Sequence, residues 1–161
     1  MTSARQTLTF QIGEPGEIGM SVGPGLRSAL GSDTDFQGVD YPASAAGNAQ
    51  MGGSGGPTMA SMANSARSSC PNTKLVLAGY SQGAMVVHSA TREGAPADLV
   101  VAFGDPMNGM SFSGVDDSQV LQVCGTSDFL CSRAGGDIEP SGGHMSYGSS
   151  YSEVAQWINS N

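Results

Sequence analysis

Lys74-Leu75-Val76-Leu77-Ala78-Gly79-Tyr80-Ser81-Gln82-Gly83 runs from an unbroken apolar stretch into a turn of the form G-x-S-x-G. Apolar residues without alternation are what a strand covered on both faces of a parallel sheet requires. The residues that follow, 82–91, read as a helix, so the turn lies between a buried strand and a helix. Outward from this point, Leu99–Phe103 and Val120–Val123 are two more strands of the buried type. Leu8–Ile12 alternates and reads as a strand end, and Phe36–Tyr41 is a short strand running into Pro42. Gly23–Leu30 reads as a short helix with Pro24 near its first turn. Met59, Met62, Ala63 and Ala66 fall on one apolar helix face. Between these, 45–57 is a Gly/Ala/Ser loop. Residues 151–159 close the chain as a helix with Val154, Trp157 and Ile158 on one face. Alternating strands and helices predict an α/β class with a central, mostly parallel sheet flanked by helices.

The chain has 161 residues, 39% apolar and 12% charged, with a net charge of −8. That length predicts one domain over 1–161. Nucleic acid is not an expected partner: there are six Lys and Arg in all, they are scattered, and Lys74 is the only lysine. No apolar run approaches the ~20 residues of a membrane span. The chain is expected to be a monomer. No metal or organic cofactor is expected, because lone His144 and the spaced cysteines make no ligand set.

Three cysteines are present, Cys70, Cys124 and Cys131. Cys124 and Cys131 flank a short polar loop that a disulfide between them could close. Low lysine, low charge and high glycine point toward an oxidising setting. Met1–Arg5 has one basic residue and no apolar stretch after it, so no signal peptide is legible there.

The chemistry of the G-x-S-x-G turn follows from its place. A sharp strand-to-helix turn forces the serine into strained backbone space and lifts its hydroxyl above the sheet's carboxyl edge. Ser81 is therefore the candidate nucleophile. The helix N-terminus behind it supplies positive potential, and the Gln82 N–H is placed as an oxyanion donor. A serine nucleophile needs a base, and the base needs an orienting acid. His88 is seven residues further along the same helix, ~10 Å up the axis and out of reach; it reads as a partly buried helix histidine. His144 sits in a glycine-rich loop, 142–148, ahead of the last helix, and is the candidate base. The acid should lie between Ser81 and His144. Asp105, the Asp116-Asp117 pair, Asp128 and Asp137 are available. Asp105 follows a strand and is placed to cap local backbone N–H groups. Asp116-Asp117 reads as a solvated turn, and Asp137 as part of a loop with no fixing element. Asp128 lies inside the Cys124–Cys131 loop, where a disulfide would lock it, and is favoured over Asp105 on that ground.

These residues resemble the cutinase family of serine esterases from about Glu14 to the C-terminus. The resemblance is carried by Glu14-Pro15-Gly16, Val22-Gly23-Pro24, the stretch 37–43 (QGVDYPA), Gly79-Tyr80-Ser81-Gln82-Gly83, Phe103-Gly104-Asp105-Pro106, Cys124 with Ser127-Asp128 and Cys131, and His144 with Tyr147-Gly148. It implies a small, lidless α/β-hydrolase, secreted, with a triad of Ser81, Asp128 and His144. The departures are N-terminal. In the family a hydroxyl-bearing loop just before the Glu-Pro-Gly turn completes the oxyanion hole. Counting back from Glu14 puts Ile12 there, while the similar run Ala4-Arg5-Gln6-Thr7 lies too early. On this register the first strand is expected to be truncated, residues 1–13 atypical of the domain, and Cys70 without its usual disulfide partner.

The function expected is hydrolysis of carboxylic esters, of a cutin-type polyester or short acyl chains, through an acyl-enzyme. Acetylxylan esterase, with an acylated polysaccharide as substrate, is the alternative within the class. A non-catalytic surface-binding module, or an inactive fragment, is the alternative outside it.

Overall fold

The computed structural model describes residues 6–10, 25–39, 53 and 55–161. Among the described residues five strands form one sheet: β1 (Gln6–Phe10), β2 (Thr34–Gly38), β3 (Lys74–Tyr80), β4 (Leu99–Phe103) and β5 (Val120–Val123). Their order is β2-β1-β3-β4-β5, and every pairing is parallel. Three helices follow the loops, α1 (Gly56–Ser69), α2 (Gln82–Arg92) and α3 (Tyr151–Ser160), with a further helical segment over 25–30.

Both sheet faces are covered, which is why the central strands carry no polar alternation. On β3, Val76 and Ala78 face one layer while Leu75 and Leu77 face the other. On β4, Val101 and Phe103 join the first layer, and Val100 and Ala102 the second. The first layer holds Leu26, Tyr147 and the α3 residues Val154, Ala155 and Ile158. The second holds Met59 and Ala63 of α1 with Ala84, Val86, Val87 and Ala90 of α2. Trp157 packs, partly buried, against the same layer as Val154 and Ile158, and Ala155 is buried beside them. Lys74, at the start of β3, donates through Nζ to the Ile158 carbonyl at 2.9 Å and ties the sheet to α3.

The expected strands at 99–103 and 120–123 occur with those bounds. Two others shift toward the N-terminus by two residues or more. The first strand is Gln6–Phe10 rather than Leu8–Ile12, and the second is Thr34–Gly38 rather than Phe36–Tyr41. The first strand, expected to be truncated, pairs along all five described residues with β2 on one side and β3 on the other. The expected oxyanion position, Ile12, lies outside the described residues, as do Ala4, Arg5 and most of the 45–57 loop.

Candidate active site

The carboxyl edge of the sheet brings three loop ends together. Backbone bonds continue the ladders beyond the strands: Ser81 N–H donates to Phe103 O at 2.9 Å, and Gly104 N–H to Val123 O at 2.9 Å. Ser81 has φ 55°, the only positive φ outside glycine among the described residues. Such a conformation persists in an L-residue only where the surroundings over-determine it. Here β3 enters the turn and α2 leaves it at once. Gly79 is required because a Cβ there would lie 2.3 Å from the Gly83 carbonyl oxygen. Gln82 is the first residue of α2, at the positive end of the helix dipole.

The acid and the base come from one zipped loop pair. After β5, Cys124 N–H donates to Ile138 O, Thr126 N–H to Pro140 O and Ser127 N–H to Gly142 O, all within 3.0 Å. This lays 124–127 beside 138–142 and delivers His144 next to Asp128. The Cys124–Cys131 disulfide closes the loop that carries Asp128. Cys70 is exposed and free.

The three groups form one hydrogen-bonded line. His144 Nε2 lies 2.9 Å from Ser81 Oγ, and His144 Nδ1 lies 2.8 Å from Asp128 Oδ2. With Nδ1–H donating to the carboxylate, Nε2 is left to accept the Ser81 proton. The His144 side chain is 24% exposed, while Asp128 is 1% exposed. Burial pushes the Asp128 carboxyl up. Hydrogen bonds from the Tyr147 hydroxyl, His144 and the Leu130 N–H outweigh it and hold the group below its ordinary value. Asp128 is therefore an anion at neutral pH, as an orienter of an imidazolium must be. Gly104, at φ +55°, lies under the pair: a Cβ there would stand 2.9 Å from both Asp128 Oδ2 and His144 Cε1.

Of the five aspartates considered, the structure brings only Asp128 to His144. Asp105 is fully buried elsewhere. Its Oδ2 accepts from His88 Nε2 at 2.8 Å and Gln122 Nε2 at 3.0 Å, and its Oδ1 accepts from Met107 N–H. His88 is thus not partly but wholly buried, stacked on Phe112 with ring centroids 3.7 Å apart. Asp116 caps the 3₁₀ turn Asp117–Gln119, as a turn residue should. Asp137 does have a fixing element: its Oδ2 accepts from Gln122 N–H at 2.9 Å, and its N–H donates to Gln122 O.

Two tyrosines escaped the residue-by-residue reading. Tyr80 donates to the His144 carbonyl at 2.8 Å, its ring 5.0 Å from the imidazole. Burial, with the Asp128 charge adding to it, pushes its hydroxyl up to about 12. Tyr147 is fully buried and donates to Asp128 Oδ2 while accepting the Gly125 N–H at 3.0 Å. The signal for both was position: one precedes the serine, the other follows the histidine by three residues. Among the described residues, no group of three His, Cys, Asp or Glu could hold a metal ion.

A model of the Cutinase family matches residues 1–161. Cutinase 4 of Emericella nidulans is 43% identical over 153 residues, covering 93% of this chain and 66% of that protein. A cutinase of Hypocrea jecorina is 44% identical over 135 residues, covering 78% of this chain and 54% of that protein. The chain thus spans less than two thirds of the length of these relatives. Among solved structures, a Trichoderma reesei cutinase in complex with a phosphonate inhibitor superposes with a TM-score of 0.80 at 33% identity, over 97% of this chain and 75% of that one. An acetylxylan esterase superposes over 98% of this chain and 99% of its own with a TM-score of 0.61 at 22% identity, a likeness of fold alone.

Proposed function

Because the chain belongs to the cutinase family, we propose that it hydrolyses carboxylic esters through an acyl-enzyme on Ser81. The observation that carries this reading is the unbroken line from Ser81 Oγ through His144 to Asp128. As Oγ attacks the ester carbonyl, His144 Nε2 takes its proton, and the buried Asp128 anion stabilises the imidazolium. The Gln82 N–H receives the charge that develops on the carbonyl oxygen. His144 then gives its proton to the departing alcohol. A water molecule enters, His144 activates it, and the acid leaves with Ser81 restored.

The substrate class we propose is an ester presented by an apolar polymer or a short acyl ester. Phe129 is 88% exposed next to Asp128, and Met145 is 59% exposed next to His144. Apolar side chains flanking the acid and the base favour an apolar polymer over an acetylated polysaccharide. We place the protein outside the cell, where the Cys124–Cys131 disulfide persists.

The experiment is hydrolysis of p-nitrophenyl esters from acetate to palmitate, with Ser81→Ala alongside, and labelling by an organophosphonate. Turnover and labelling by the native chain, both lost in Ser81→Ala, are expected. A folded native chain that neither turns over esters nor takes the label is a scaffold and overturns the reading. Release of acetate from acetylated xylan, with no activity beyond acetate among the nitrophenyl esters, moves the substrate to polysaccharide.

A further inference from the structure

Asp128 Oδ2 is the atom that His144 Nδ1 approaches at 2.8 Å, and it is also the atom to which the Tyr147 hydroxyl donates. The other carboxylate oxygen, Oδ1, accepts the Leu130 N–H at 3.0 Å. One oxygen is thus divided between the histidine and a second donor only three residues further along the same loop. From this shared acceptor we infer that Tyr147 is a positioning residue that sets the basicity of His144 through Asp128. The inference rests on the esterase reading only for its kinetic consequence.

The hydroxyl is committed to this task by its own surroundings. Tyr147 is completely buried, its ring set edge-on to Phe103 and Tyr80 in the first core layer. The Gly125 N–H donates to the phenolic oxygen, which leaves its single proton for the carboxylate. A hydrogen bond accepted from Gly125 also makes the O–H a stronger donor by polarising it. Cys131 Sγ lies 3.6 Å from the same oxygen, so the disulfide loop packs against it too. The phenol withdraws charge from the oxygen that holds the imidazole. With that charge drawn off, Asp128 orients His144 without raising its proton affinity as far as an undivided carboxylate would.

The other titratable groups around the pair are accounted for among the described residues. Tyr80, from β3, donates to the His144 carbonyl and not to the imidazole. Ser81 faces Nε2. Asp105, next to Gly104 at the end of β4, is engaged by His88 and Gln122. Among the described residues, Tyr147 is the side chain besides His144 itself that is hydrogen-bonded to the acid.

The test is Tyr147→Phe, which keeps the ring in the core and removes the donor. The His144 imidazole is followed by NMR across a pH titration; the chain has two histidines, and a His88→Gln variant identifies the other. Its midpoint should rise by about one unit, the scale set by losing a hydrogen bond to an ionised group. The acid limb of kcat/KM on a p-nitrophenyl ester should move up with it. A second variant carries 3-fluorotyrosine at position 147, a stronger donor in the same packing, and should move the midpoint down. Opposite displacements in the two variants support the inference. A midpoint that stays in place in both, with only the melting temperature or the plateau rate falling, overturns it and leaves Tyr147 as packing. The NMR midpoint stands apart from turnover: loss of ester hydrolysis in the native chain refutes the esterase reading, and an unmoved imidazole refutes this one.

Discussion

His88 Nε2 lies 2.8 Å from Asp105 Oδ2, the same separation that joins His144 Nδ1 to Asp128 Oδ2. The chain therefore holds two aspartate–histidine pairs of matching geometry, both close to the carboxyl edge of one sheet. Only the second has a serine on its far side. The first is closed off on every side, with both side chains fully buried and the imidazole stacked on Phe112. It fastens α2 to the end of β4, and through Gln122 to β5.

The two carboxylates should separate cleanly in mutants. Asp105→Ala strands the His88 ring N–H, the Gln122 amide and the Met107 N–H in the interior. Removing one partner of a buried pair costs about 3–5 kcal/mol, a large part of the ~5–15 kcal/mol that holds a domain together. Urea unfolding should show that loss, while the fraction that remains folded keeps its rate within about tenfold. Asp128→Asn should do the reverse, losing on the order of 10⁴-fold in kcat with the wrong imidazole tautomer favoured. Equal kinetic damage from both substitutions would refute the assignment.

Gly104→Ala combines two effects that a control can split. The new Cβ would press on Asp128 Oδ2 and His144 Cε1 at 2.9 Å, and the residue would be held at φ +55°. Gly94 has φ +87° with nothing within 4 Å of a Cβ. Gly94→Ala should cost only the backbone strain, about 1–2 kcal/mol, with kcat/KM intact. Gly104→Ala should lower the melting temperature comparably and also lose ~10²-fold in kcat/KM, because the acid–base pair is displaced. If the two variants are equally active, the crowding at Gly104 is without consequence.

Alkylation under denaturing conditions counts the thiols. Without reductant, intact mass should show one modified cysteine, Cys70, and after reduction three. Opening the Cys124–Cys131 loop should also lower stability by about 2–4 kcal/mol. Activity should fall with it, since the loop fixes Asp128. Three alkylatable thiols in the unreduced protein would contradict the bridge.

Tyr80 sets an alkaline limit. Burial first, and the Asp128 charge second, raise its hydroxyl from 10.0 to about 12 in the folded protein. A folded value above the unfolded one means that the neutral phenol stabilises the fold. That contribution is complete below pH 10 and is lost as the pH rises through about 12. Unfolding followed at stepped pH should show stability falling over that window, with less of a fall in Tyr80→Phe. Tyrosinate absorbance that includes Tyr80 near pH 10, before unfolding, would contradict it.

Much of this was legible in the sequence, for local reasons. Apolar runs without alternation located β3, β4 and β5, and a G-x-S-x-G turn between strand and helix located Ser81. His144 was found by excluding His88 on helical rise, and Asp128 by its place between two cysteines. Other features depend on residues distant in the chain. Nothing local to Asp105 or His88 announces that they meet, since they stand 17 positions apart with a whole strand between them. Asp137 looked untethered because its partner, the backbone of Gln122, is 15 residues away. The Tyr147 hydroxyl reaches an acid 19 residues upstream, past the disulfide, and only the folded loop pair reveals it. The strand ends of β1 and β2 moved because parallel register, β1 against β3 and β2 against β1, sets where pairing begins, and local alternation does not.

Lys74 begins β3, and Ser81 follows its last residue. Seven residues of extended chain set them ~23 Å apart, at opposite edges of the sheet. Lys74 is also the only lysine in the sequence. Apart from the α-amino group, the molecule thus carries a single amine handle, on the face turned away from its chemistry. Coupled to a solid support or a dye through that amine, every copy would be tethered from behind in one orientation, with the reactive edge facing outward.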